Sequence, residues 1–402
     1  MKFFEDSSAP FEHCKHHGYY TVANKHYLYR YTAHHAANRK APITWNFNDD
    51  VWSALDWSKP VNVTLPQLYK ERAQQLRDKY DYLILAFSGG PDSYQMLRAF
   101  TDNNIRLDEV WCDWPHGLMD KVNYKPNTVD INNTNLASEW AFTTEPKLRW
   151  LEKAHPEIKI HISDAGSIGE AEDSEDTWLI SNFRSSYFIT KRQRYIYNYT
   201  SRLYNMGKKV AVVYGVDKPT IRIQSNHIGY VFHDLPTIWK NDVDNTRFTN
   251  VEYFYWTPDM PYIVINQTNE MIRYLQHNPT KLNKLWDLMT KKSKYAIHRK
   301  HNMDTEINEV CYPEWDNAFQ TDKHIYVFES SAFHVLLKPF IGKEKFLDGY
   351  VQRYYKDTEN IDPELLFEAK GKDNYNKLQA RVVFKFYPVM SLDDFYKGMS
   401  VK

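Results

Sequence analysis

The feature that most constrains the fold lies at residues 82–101, where an apolar run passes through two glycines into a helical pattern. Tyr82 to Phe87 are apolar or aromatic, and the next six residues read Ser-Gly-Gly-Pro-Asp-Ser. Apolar side chains then recur at helical spacing between residues 95 and 100. The pattern predicts a buried strand, a tight turn and a helix, in that order. With only 13 glycines in the chain, a pair at this point is informative.

The turn after the predicted strand has the composition of an anion-binding site. Several backbone N–H groups of such a turn point at one place, at the positive end of the helix dipole. Gly89 and Gly90 would let the backbone approach a phosphate closely. The hydroxyls of Ser88 and Ser93 add donors, and the carboxylate of Asp92 is a ligand for a divalent cation that bridges phosphate oxygens. We therefore predict a phosphate and metal site here.

The sequence Ser88-Gly89-Gly90-Pro91-Asp92-Ser93 resembles the PP-loop, Ser-Gly-Gly-x-Asp-Ser, of the N-type ATP pyrophosphatases. The resemblance implies a Rossmann-like fold of the adenine nucleotide alpha-hydrolase (HUP) type, with ATP and Mg²⁺ as ligands. Enzymes of this superfamily cleave ATP between the α- and β-phosphates, and the adenylate activates a carboxylate or carbonyl for attack by nitrogen or sulfur. A P-loop is a poorer match, because the Gly-Lys-Ser/Thr ending is missing.

The wider pattern predicts an α/β fold, with a parallel sheet and helices on both faces, because apolar strands alternate with helix-length segments. The predicted strands are residues 82–87, 107–114, 158–162 and 210–214, and the predicted helices are 66–79, 135–154 and 177–206. We predict three regions: an N-terminal extension at 1–60, a PP-loop ATP pyrophosphatase domain at 61–260, and an α+β C-terminal region at 261–402 that binds substrate or a partner.

Polar residues follow the ends of the predicted strands, where ligands collect in a parallel sheet. Asp113 would contact nucleotide or magnesium, although a polar strand end explains it equally well. Gly215 would let the backbone pass close to the nucleotide, and Lys218 would place a mobile positive charge on the pyrophosphate. The competing interpretation of residues 215–219 is a Gly/Pro turn with a solvated Asp-Lys pair.

Within the superfamily, the chain loosely resembles the sulfonucleotide (phosphoadenosine phosphosulfate) reductase branch. That branch has a Gly-x-Arg turn after the fourth strand, and this chain has Asp217 in place of the arginine. A later Trp-Thr-x-x-Asp-like segment of the branch corresponds only loosely to residues 254–259. Cys311 lacks the Glu-Cys-Gly-type context of the reductase nucleophile. We therefore reject sulfate reduction.

A nucleic acid acceptor is a further alternative, because Pro91 also occurs in the loop of the tRNA-isoleucine lysidine synthetases. A basic face at 184–202 and the segment 294–301 would then bind RNA phosphates, with aromatic residues interleaved. Solvated helix ends explain the same residues. Lys+Arg and Asp+Glu are both 51, and this zero net charge disfavours a large nucleic acid footprint.

Composition places the chain among cytoplasmic proteins. The three cysteines, Cys14, Cys112 and Cys311, form no Cys-x-x-Cys pair, which disfavours a zinc ribbon, an iron–sulfur cluster or a disulfide framework. No apolar signal core or membrane span is evident, so we expect no membrane partner. The abundance of Asn, Lys, Tyr and Ile favours an AT-rich genome, such as that of a phage. The oligomeric state stays open, and a homo-oligomer is compatible with the sequence.

The sequence therefore predicts a PP-loop ATP pyrophosphatase with Asp92 and Lys218 as catalytic residues and Asp92 as the magnesium ligand. Ser88, Gly89, Gly90, Ser93, Asp113 and Gly215 complete the predicted nucleotide site. The acceptor would be a small molecule or a nucleobase, activated for attack by an amine or ammonia. The alternative is a nucleotide-binding interaction protein that keeps the loop but does not turn over, and Asp217 favours it.

Overall fold

The computed structural model describes residues 15–27, 33, 36–37, 41–114, 140–164, 199–234, 250–278, 280, 309–315 and 382–399 of the chain. The predicted basic segment 294–301 lies outside these residues. So does the predicted basic face at 184–202, apart from its last four residues.

Twelve strands and six α-helices have both of their ends among the described residues. The strands are β1 (Tyr19–Val22), β2 (Lys25–Tyr27), β3 (Ile43–Asn46), β4 (Tyr82–Ala86), β5 (Glu109–Trp114), β6 (Lys159–Asp164), β7 (Val210–Tyr214), β8 (Ile221–Gln224), β9 (His227–Val231), β10 (Asn250–Tyr253), β11 (Val382–Phe384) and β12 (Phe386–Ser391). The helices are α1 (Asp49–Ser53), α2 (Leu65–Lys79), α3 (Pro91–Thr101), α4 (Glu145–Ala154), α5 (Tyr262–His277) and α6 (Leu392–Met399). A π-helical turn, Trp140–Thr144, leads into α4.

The central sheet has five parallel strands in the order β10-β7-β4-β5-β6. The first strand of this sheet along the chain, β4, lies in the middle. The next two, β5 and β6, lie on one side of it, and β7 and β10 lie on the other. This is the doubly wound order of Rossmann-like sheets, whose ligands bind where the winding reverses, between β4 and β7. The predicted α/β class, with a parallel sheet flanked by helices, is confirmed.

The two strands at this reversal are buried along almost their whole length. Leu83, Ile84 and Leu85 of β4 are fully buried, and every residue of β7 is buried. Such continuous apolar runs are typical of parallel strands covered on both faces. Two continuous apolar runs of the sequence, residues 82–86 and 210–214, therefore form the central strands β4 and β7.

Two helices next to β4 have clear start signals. The hydroxyl of Thr64 accepts the N–H of Gln67 at 3.4 Å and so caps α2, which has a proline in its first turn. In α3, Gly90 is the N-cap and Pro91 is the first helical residue, where its missing N–H costs nothing. The two helices pack against each other, and α2 also packs against α5.

A helical segment at residues 199–205 is the described portion of the predicted 177–206 helix, and its Tyr199 contacts the first residues of β5 and β6. The hydroxyl of Tyr199 donates to Oε2 of Glu109 at 2.6 Å, and Tyr82 donates to the same oxygen at 2.8 Å. Lys159 adds its ammonium at 3.5 Å. Oε2 of the fully buried carboxylate of Glu109 is therefore compensated by donors from three segments.

Two smaller sheets each combine a C-terminal strand with strands from earlier in the chain. One has the order β11-β3-β1-β2, in which β11 lies parallel to β3, and the other is antiparallel with the order β12-β9-β8. Aromatic side chains fill the core beside them, including Phe47, Trp57 and Phe232. The boundaries at 60 and 260 stay a prediction. Among the described residues, no helix is both long and apolar enough to cross a membrane.

A buried ion pair connects α2 to β10, the strand beside β7. Nη2 of Arg72 lies 2.9 Å from Oε2 of Glu252 and donates to the carbonyl of Tyr253 at 2.8 Å. Lys79 and Tyr80 donate to the other carboxylate oxygen of Glu252, at 2.8 and 2.5 Å. Burial alone would raise the pKa of Glu252, but the charge of Arg72 and the donors from Lys79 and Tyr80 hold it below the usual value.

This pair predicts an acid-sensitive contribution to stability. Because the pKa of Glu252 is lower in the folded than in the unfolded chain, its carboxylate stabilises the fold above the unfolded-state pKa of about 4.3. That contribution is lost as the pH falls through the folded-state pKa. We expect Glu252→Gln to lower the unfolding free energy at pH 7 by about 2 kcal/mol.

Thermal unfolding from pH 7 down to pH 3 measures the effect, with Glu71→Gln, on the exposed face of α2, as the matched control. The gap in Tm between wild type and Glu252→Gln should close in acid, while the control should follow wild type throughout. A gap that is constant with pH would contradict the assignment.

Candidate functional site

The glycine loop, Ser88–Ser93, lies where the sheet reverses its winding. It leaves the carboxyl end of β4 and enters the first turn of α3. The strand beside β4 is β7, and residues 215–219 leave the carboxyl end of β7. The two predicted ligand-binding segments are therefore neighbours at the edge where ligands bind in sheets of this kind.

The serines hold the loop together. The Oγ of Ser93 donates to the carbonyl of Gly90 at 3.1 Å and accepts the N–H of Ser88 at 3.3 Å. Ser88 accepts the N–H of Gly90 at 3.3 Å, and the two hydroxyl oxygens lie 3.2 Å apart. Ser93 is buried and Ser88 is exposed. The geometry therefore gives Ser93 a role in shaping the loop and leaves Ser88 at its surface.

Gly89 meets two independent conditions that require glycine. Its φ of +77° lies in the left-handed region, and an added Cβ atom would lie 2.3 Å from Oγ1 of Thr144 and 2.7 Å from its Cα. Thr144 approaches because its hydroxyl donates to the carbonyl of Ser88 at 2.8 Å. The start of α4 is thus packed directly on the glycine loop.

Gly215 brings the loop after β7 into contact with α3. An added Cβ atom at Gly215 would lie 3.3 Å from Oδ2 of Asp92 and 3.4 Å from the backbone nitrogen of Ser93. Asp217 and Lys218 follow in the same loop and are, like Gly215, partly exposed. The structure therefore brings Gly215 together with the glycine loop, as the strand-end argument predicts.

A buried tyrosine supports the backbone of Asp92. The hydroxyl of Tyr255 donates to the backbone carbonyl of Asp92 at 2.7 Å. Burial raises the pKa of Tyr255 well above its usual value, so this hydroxyl stays a neutral donor. The side chain of Asp92 is itself partly exposed in the first turn of α3, where the helix dipole favours negative charge.

The metal ligands available at the glycine loop fit magnesium that arrives with a nucleotide better than magnesium held by protein alone. In the described parts of the chain, no three histidine, cysteine or carboxylate side chains gather into a metal site. Mg²⁺ commonly keeps several waters and takes one or two carboxylates together with substrate phosphates. Asp92 beside the glycine loop offers one such carboxylate.

Asp113 lies at the same edge of the sheet. Trp111 pairs in register with Ala86, so the backbone of Asp113 is level with that of Ser88, on the side of β4 opposite β7. The glycine loop therefore lies between Asp113 and Gly215 along the edge.

No sequence pattern identifies three residues that contact the glycine loop, which are Thr144, Lys147 and Tyr255. The ammonium of Lys147 donates to the carbonyl of Gly89 at 3.3 Å, next to the bond that Thr144 makes. Helical spacing places residues 144–147 inside the predicted 135–154 helix, whereas α4 begins at Glu145. No local pattern tells where that helix begins or which strand end it reaches. The pairing of β4 with β5 decides it.

Comparison with protein-family models, with curated proteins and with solved structures found no match to this chain.

The contact at Gly89 predicts that alanine is poorly tolerated there. Gly89→Ala adds both left-handed backbone strain and a clash with Thr144, so we expect a loss of about 3 kcal/mol in unfolding free energy. Gly207 is a matched control, because its φ is +78° and an added Cβ atom would meet nothing within 4 Å.

Gly207→Ala should lose only about 1 kcal/mol, the cost of the backbone conformation alone. Urea unfolding of the two variants and wild type measures the difference. Equal losses would mean that Thr144 does not press on the loop.

Proposed function

We propose that this protein is an adenylating enzyme that cleaves ATP to AMP and pyrophosphate. The observation that carries the proposal is the contact between the glycine loop and the loop after β7. It joins a phosphate cradle, the carboxylate of Asp92 and the segment of Lys218 at the reversal point of a Rossmann-like sheet.

In this proposal the glycine loop and the first turn of α3 bind the phosphates. Backbone N–H groups at a helix start and the exposed hydroxyl of Ser88 are donors for phosphate oxygens. Asp92 would hold Mg²⁺, which supplies neutralisation of phosphate charge when bound. Lys218 would stabilise the negative charge that develops on the departing pyrophosphate.

In the second step of the proposed reaction, an amine or ammonia would attack the adenylated acceptor and displace AMP. A sulfur nucleophile of the described chain is disfavoured, because Cys112 and Cys311 are both buried. Burial raises the pKa of the Cys311 thiol well above its usual value, and the thiolate is the reactive form. The activated group would be a carboxylate or a base carbonyl, of a small molecule or a nucleobase.

The second candidate is a nucleotide-binding interaction protein without turnover. Asp217 favours it, because it puts a negative charge into the loop after β7, close to the place proposed for pyrophosphate. The two functions differ in whether bound ATP is cleaved.

The variant Asp92→Asn tests whether Asp92 takes part in ATP cleavage or only shapes the loop. If Asp92 holds the metal, release of pyrophosphate should fall by about a hundredfold or more, because charge neutralisation at the phosphates is lost. Asp102→Asn is the matched control, since Asp102 ends the same helix and pairs with Arg98 on the surface. The assay uses α-labelled ATP and magnesium, with a cell extract as the source of acceptors.

AMP and pyrophosphate from wild type and Asp102→Asn, but not from Asp92→Asn, support the adenylating enzyme. ADP and phosphate from wild type would contradict it. ATP that binds but is not cleaved would favour the interaction protein. Full turnover by Asp92→Asn would show that the metal is held elsewhere.

A further inference from the structure

The start of α4 contacts the glycine loop at Ser88 and Gly89, whereas the loop after β7 contacts it at Asp92 and Ser93. We propose that Thr144 and Lys147 are positioning residues that fix the loop for phosphate binding, and that Lys147 adds positive charge for a bound pyrophosphate or triphosphate. The charge role rests on the proposed function, whereas the positioning role can be measured without it.

Two successive carbonyls of the loop are held by this helix start. Thr144 donates to the carbonyl of Ser88 at 2.8 Å, and Lys147 donates to the carbonyl of Gly89 at 3.3 Å. When successive peptide units form an anion-binding concavity, their N–H groups face the anion. A donor on each carbonyl fixes the two peptide planes and with them the direction of the N–H groups of Gly89 and Gly90, the second of which donates to Oγ of Ser88 in this structure.

The ammonium of Lys147 is itself held in place by aromatic rings. Its Nζ atom lies 4.2 Å from the ring centroid of Trp315 and 4.9 Å from that of Tyr94. Both distances are within the range of cation–π attraction. An exposed lysine is a mobile charge, but Lys147 is partly buried between two rings and a carbonyl, so its charge stays beside the loop.

Trp315 follows Glu314, which contacts α3 at a residue 219 positions earlier in the sequence. The N–H of Glu314 donates to Oε1 of Gln95 at 3.1 Å, and the carboxylate of Glu314 lies 3.4 Å from Nη2 of Arg98. Gln95 and Arg98 belong to α3, the helix that the glycine loop begins. Lys147 therefore lies between the loop and a segment fastened to the same helix.

The test compares Lys147→Met with Lys147→Arg, Thr144→Val and a matched control, Lys153→Met, which makes the same change on the exposed face of α4. Calorimetric binding of inorganic pyrophosphate with magnesium reports the charge. Hydrogen exchange of a peptide covering residues 88–93 reports the positioning. Thermal unfolding shows that each variant is folded.

We expect Lys147→Met to bind pyrophosphate about tenfold more weakly and to raise KM for ATP more than it lowers kcat, with partial rescue in Lys147→Arg. Thr144→Val and Lys147→Met should both speed exchange at residues 88–93, while Lys153→Met should match wild type in every measurement.

The outcomes distinguish this inference from the proposed function. Pyrophosphate binding and exchange in Lys147→Met and Thr144→Val that equal those of Lys153→Met would overturn the inference and leave the adenylating enzyme standing. If wild type itself neither binds pyrophosphate nor cleaves ATP, the proposed function and the charge role fail together. Faster exchange in Thr144→Val and Lys147→Met would still support the positioning role in that case.

Discussion

The candidate site depends on one close backbone approach, that of Gly215 to the first turn of α3. The approach is possible because β4 and β7 are adjacent, parallel and buried, so the segments that follow them leave the same edge of the sheet. A side chain at residue 215 would begin 3.3 Å from the carboxylate of Asp92. The strand order therefore brings the two segments together, and the glycine permits their close approach.

The glycine loop is held in place by residues that are far apart in sequence. Tyr255 holds the carbonyl of Asp92, and Thr144 holds that of Ser88. The carbonyl of Cys311 accepts the hydroxyl of Tyr69, which ties the segment 309–315 to α2. Because catalytic and binding groups must be held within a fraction of an ångström, such support from several elements is what a phosphate cradle requires.

The sequence was sufficient for the parts of this site that depend on local rules. A continuous apolar run, a glycine pair and a proline at the first helical position each have one dominant structural meaning, and β4, the glycine loop and α3 follow from them. Gly215 could be placed because parallel strands end at one edge. Thr144, Lys147 and Tyr255 could not, because their contacts depend on which strand ends and helix starts the crossovers of the sheet bring together.

The balance of charge around the loop indicates how such a site would discriminate among anions. Asp92 and Lys147 lie at the glycine loop, and Asp217 and Lys218 follow Gly215 in the loop after β7. Under the proposed function, two carboxylates and two ammonium groups add no net charge, so a bare polyphosphate would gain little beyond the backbone donors and the helix dipole. A polyphosphate that carries Mg²⁺ would also gain the carboxylate of Asp92, so the proposed site would select the metal complex over the free anion.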